Sequence, residues 1–148
     1  MSTNAEQQYA LELINRARSD PDGEFAALIL DADAQIGVQS NITSALRYFN
    51  VDLDLFLTQL QAYPSVAPLA WNTALATSAQ THSDLMIQHD EQSHFLPGEP
   101  GIGDRISAGG YRNWTNVSEN IFAYAQDVLH GHAGFYIDWG GSASTGGM

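Results

Sequence analysis

Among the side chains able to bind a metal or move a proton in the second half of this chain, four stand out by the motifs around them: His94, Glu119, His132 and Asp138. They lie along one stretch, which opens at Ser93-His94-Phe95, passes Ser118-Glu119-Asn120-Ile121 and closes at His132-Ala133-Gly134-Phe135-Tyr136-Ile137-Asp138. An imidazole with two carboxylates is a mixed N/O donor set. It suits zinc or another divalent ion, with a position left open for water or a ligand. Each residue also has a plainer role open to it. His94 could be a loop histidine bonded to backbone, and Glu119 an acid bracing a turn. His130-Gly131-His132 could supply a substitute ligand.

The elements that must position these groups are readable from pattern. Residues 5–19 have apolar Ala10, Leu13, Ile14 and Ala17 at helical spacing, which predicts an amphipathic helix. Asp20-Pro21 ends it and starts a second, with Asp20 as N-cap and Pro21 at the first helical position. Asp31 to Ser40 reads as a polar loop. Its Asp31-Ala32-Asp33 run is not a calcium loop, because Ile36 stands where the turn needs glycine, and Asn50-Val51-Asp52 fails likewise at Leu55. Residues 43–49 and 53–62 are predicted helices, the second capped by Asp52.

Asn72 caps a long predicted helix, Thr73 to His89, whose apolar face carries His82. A single histidine there reads as a satisfied core group rather than a ligand. Asp90 to Gly103 is a loop rich in glycine, proline and acids, and it holds His94. A short helix over 104–108 ends at Gly109-Gly110, which suits a left-handed cap. Val117 to Ala123 is expected as a strand, Asp127 caps a last helix over 128–138, and residues 141–148 read as a flexible Gly/Ser-rich tail.

The chain has 148 residues, enough for one domain with a real core. Five arginines, no lysine and seventeen acids give a formal charge of -12, which disfavours nucleic acid and anionic lipid as partners. There is no cysteine, so disulfides and thiolate sites are excluded. No apolar run approaches the roughly 20 residues of a membrane span, and no signal peptide is visible. Three sequons, at Asn41, Asn113 and Asn116, matter only in a eukaryotic secretory pathway.

Six segments together resemble one family. They are Asn15-Arg16-Ala17-Arg18-Ser19-Asp20-Pro21, Pro68-Leu69-Ala70-Trp71-Asn72 with the helix after it, Ser93-His94-Phe95, Asp104-Arg105-Ile106, Glu119-Asn120-Ile121, and Phe135-Tyr136-Ile137-Asp138. In this order they are similar to the CAP superfamily, or SCP domain, and most like its cysteine-free bacterial branch. The resemblance implies an α+β fold, an α-β-α sandwich with a cleft lined by two histidines and two acids. It makes His94 the first histidine, Glu119 the first acid and Asp138 the second. The family's second histidine and its following strands have no counterpart before Met148. The expectation is therefore an incomplete CAP/SCP-like domain over 1–140, mostly helical, with an elaborated segment at 31–67.

Three functions follow from the resemblance. One is a non-enzymatic binding module whose site residues His94, Glu119, Asp138 and His132 hold a divalent metal, zinc favoured. Its cleft would take a small-molecule or lipid-like ligand or a protein partner. Another is a metal-assisted hydrolase with Glu119 or Asp138 as base. The last is a structural or adhesive domain. The H-E-x-x-H zinc signature is absent, and no nucleophile motif is visible. The resemblance also implies export from the cell.

Overall fold

A computed structural model describes residues 4–139, so the expected tail at 141–148 lies outside the described residues. The chain forms two compact units. One is built from Asn4–Leu69 together with residues 124–139, the other from Ala70–Ala123.

In the first unit, α1 (Ala5–Ser19) starts with a reciprocal cap. Asn4 accepts from the Gln7 N–H, and the Gln7 side chain accepts from the Asn4 N–H. Asp20 accepts from the Gly23 N–H and starts α2 (Pro21–Leu28), with proline at the position that loses no hydrogen bond. A small antiparallel pair, β1 (Ile29–Asp31) and β2 (Ile36–Gly37), runs from the end of α2 into the expected polar loop, with Ile29 opposite Gly37 and Asp31 opposite Ile36. Asp31 folds the connection by accepting from the Ala34 N–H, and Gln35 takes a left-handed φ of 52°. Gly37 has no room for a side chain, since a Cβ there would lie 2.5 Å from Ile42 Cγ2.

Helix α3 (Ser40–Tyr48) begins three residues earlier than its apolar pattern indicates, and α4 (Leu53–Leu60) starts at the predicted Asp52 cap. The core of this unit includes Leu13, Leu28, Ile42, Leu46, Phe56 and Ile137, all fully buried. Asn15 of α1 grips the chain near its exit from the unit: its Nδ2 donates to the Leu69 carbonyl at 3.0 Å and its Oδ1 accepts from the Leu69 N–H.

The second unit contains α5 (Thr73–His89) and α6 (Ile102–Ala108), joined by the glycine- and proline-rich loop. Asn72 caps α5 by accepting from the Ala74 and Leu75 N–H groups. Gly110 ends α6 with φ +99°, and the Tyr111 N–H returns to the Ile106 carbonyl. The segment expected as a strand, Val117 to Ala123, is irregular instead. Among the described residues it has no neighbouring strand to pair with. Its backbone is held by a side chain, with the Ala123 N–H donating to Gln92 Oε1 at 2.7 Å.

Helix α7 (Val128–Ile137) closes the first unit, with Asp127 accepting from the His130 N–H as predicted. The mostly helical architecture is as the sequence implies. The described residues hold seven α-helices and one two-stranded sheet, and no helix among them is long and apolar enough to cross a membrane.

Candidate functional site

Glu119 is where the second unit concentrates its chemistry. The irregular 117–123 segment lets this carboxylate face the helices and the loop at once. His94 Nδ1 lies 2.9 Å from Glu119 Oε1, and Arg105 Nη2 donates to the same oxygen at 2.9 Å. His82 Nε2 approaches it at 3.7 Å, too far for a hydrogen bond. Burial pushes the Glu119 carboxyl up. The hydrogen bonds from Arg105 and His94 outweigh it, helped by the nearby Arg105 and His82, and hold the group below the ordinary carboxylate range.

The loop residue His94 is presented by a local turn. Ser93 Oγ accepts from the Phe95 N–H and donates to the Phe95 carbonyl, which bends the chain at His94. Its side chain is 50% exposed, and with Nδ1 engaged, Nε2 is the remaining ring nitrogen. A carboxylate that turns an imidazole through one nitrogen and leaves the other for a ligand is a common arrangement in metal sites.

Beneath this pair lies a second acid–histidine contact. His82 Nδ1 sits 2.8–2.9 Å from the two oxygens of Glu99, and Arg105 Nε is 3.6 Å from Glu99 Oε1. The sequence reading placed His82 in the core as a satisfied group. Buried it is, at 1% exposure, but Glu99 satisfies only one nitrogen and Nε2 has no hydrogen-bond partner among the described residues. Pattern alone missed Glu99 and the bridging role of Arg105. The available signal was a polar residue on an apolar helix face, which needs a partner, and an acid seventeen positions later in a Gly/Pro loop.

The structure thus brings His94 and Glu119 together. His132 and Asp138 belong to the first unit. There His132 Nε2 lies 2.9 Å from Glu24 Oε1, and its ring stacks on Tyr136. Asp138 ends α7 in a left-handed conformation, φ 51°, with its N–H donating to the Gly134 carbonyl. Among the described residues, no group of three or more His, Cys, Asp and Glu is placed to hold a metal ion.

Comparison with known proteins places this geometry in context. A model of the cysteine-rich secretory protein family, CAP, matches residues 11–138. Neither the curated proteins nor the solved structures give a match. The matched range takes in the Asn15 clamp, α5, the His94 loop and Glu119, so the likeness rests on the whole arrangement rather than on one motif, and the chain belongs to the CAP family.

Proposed function

We propose that this chain is a non-enzymatic ligand-binding module whose binding groups are His94 and Glu119. The observation that carries the reading is the pair itself: one oxygen of Glu119 takes both His94 Nδ1 and Arg105 Nη2 at 2.9 Å. A carboxylate held by a guanidinium below its ordinary pKa is a weak base, which favours holding a ligand over abstracting a proton.

A divalent metal, zinc first, is a ligand that His94 would take through Nε2, with Glu119 orienting the ring from Nδ1 and water completing the coordination. Bound there, it would serve as a Lewis acid that polarises a further ligand. The reading rests on these two residues alone. His132 has Nε2 committed to Glu24, and Asp138 caps its helix. The family's description as secretory supports export as the setting in which the module works.

Calorimetric titration of the purified chain with zinc at neutral pH tests this. We expect saturable binding that His94→Ala abolishes. Heat unchanged by both His94→Ala and Glu119→Ala would overturn the assignment.

A further inference from the structure

The segment that carries Glu119 has no sheet to hold it. Among the described residues, 115–121 make no backbone–backbone hydrogen bond. Where Glu119 sits is therefore decided by the contacts that anchor the segment on either side. Downstream, the Ala123 N–H meets Gln92 Oε1, but both residues are exposed and water competes for the bond. Upstream, the Tyr111 N–H is bound to the Ile106 carbonyl, and Asn113 turns the chain with a left-handed φ of 63°. The next residue, Trp114, lies back on α6.

Two residues one turn apart on α6 form the seat of this indole. Trp114 Nε1 donates to Ser107 Oγ at 3.1 Å. That hydroxyl spends its own proton on the Gly103 carbonyl at 2.8 Å, so it meets the indole as an acceptor. Gly103 is the floor of the seat. A Cβ there would lie 2.9 Å from Trp114 Cζ2 and 3.0 Å from Cη2. Gly103 stands within a helix and takes no positive φ, so its backbone does not call for glycine. The close approach of the ring does.

Only four residues separate Trp114 from Glu119. With no ladder to hold them, a shift of the indole passes along the chain to the Glu119 carboxylate. The indole is 38% exposed, so its removal leaves a surface notch rather than a core cavity.

We propose that Trp114 is a positioning residue of the binding site: its indole, seated on Gly103 and Ser107, sets where the Glu119 carboxylate meets His94. The inference rests on the reading of His94 and Glu119 given above, and it adds a residue that acts through Glu119.

The test reads the His94 ring nitrogens by NMR in the full chain without metal. Trp114→Ala and Gly103→Ala should both move their shifts toward the Nε2–H tautomer, with the helical circular dichroism retained. Gly103→Ala is the sharper variant, because alanine favours a helix over glycine and keeps α6 formed while its methyl displaces the ring. Added to Glu119→Gln, neither substitution should move the His94 ring further, since the effect runs through the carboxylate. Zinc affinity should fall about ten-fold in Gly103→Ala. The inference is overturned if both substitutions leave the ring shifts as in the parent chain, or if they move the ring as far in Glu119→Gln. It is equally overturned if Gly103→Ala binds zinc as tightly as the parent chain does. A parent chain that takes up no zinc defeats the metal reading alone, and the ring shifts then decide the role of Trp114.

Discussion

Glu24 and His132 stand 108 positions apart in the chain and meet at 2.9 Å, Oε1 to Nε2, with both side chains shielded from solvent. Arg16 completes the cluster: its Nε pairs with Glu24 Oε2, and its Nη2 donates to Glu24 Oε1 at 2.8 Å. One buried carboxylate thus ties α1, α2 and α7 together. A fully buried acid is tolerated here only because donors from two helices meet it.

Acid should dissolve this tie in a defined window. Burial pushes the Glu24 carboxyl up, but the Arg16 and His132 hydrogen bonds outweigh it and bring the group from 4.5 to about 2. A depressed folded pKa means stability that is fully present above the unfolded value and lost as pH falls through the folded one. We expect about 3 kcal/mol to disappear between roughly pH 4.5 and pH 2. Urea unfolding at several pH values, compared with Glu24→Gln, checks this. A pH dependence unchanged in the variant would show that Glu24 is not responsible.

His132→Ala removes one partner of the buried acid and a ring that stacks on Tyr136. The expected cost is about 3–5 kcal/mol, measured by chemical denaturation. A cost under about 1 kcal/mol would mean that Arg16 alone suffices for Glu24.

Asn15→Ala loses both hydrogen bonds to the Leu69 backbone. Each contributes about 1 kcal/mol, so the predicted loss is about 1–2 kcal/mol. Amide exchange at Leu69 should quicken in the variant. Unaltered protection there would rule out the clamp.

Glu119→Gln should free the His94 ring. With the carboxylate gone, the preference for a proton on Nδ1 weakens, and the ring nitrogen NMR shifts should move toward the Nε2–H tautomer. Among the described residues buried Arg105 then keeps only Glu99, at 3.6 Å, as a charged partner, so stability should fall by about 1–3 kcal/mol. Ring shifts identical to those of the parent chain would mean that Glu119 does not orient His94.

What the sequence by itself determined is local. Asp20, Asp52, Asn72 and Asp127 cap their helices as read, because a cap acts over two or three residues and its partner N–H follows from the helix itself. The left-handed turn at Gly110 is of the same kind. The family, too, was legible, since its motifs lie in order along the chain. Only the tertiary structure decided the rest. The 117–123 segment has strand-like composition, but a strand needs a neighbour, and its own residues do not say whether one is present. His82 looked like a core group because the acid that meets it comes from a loop, and loop paths are not written in periodicity. His132 joined the candidate ligands on residue type, yet its Nε2 faces Glu24, an acid from the opposite end of the chain. Ion pairs between distant residues depend on how helices pack, and the packing is set by all the apolar faces together.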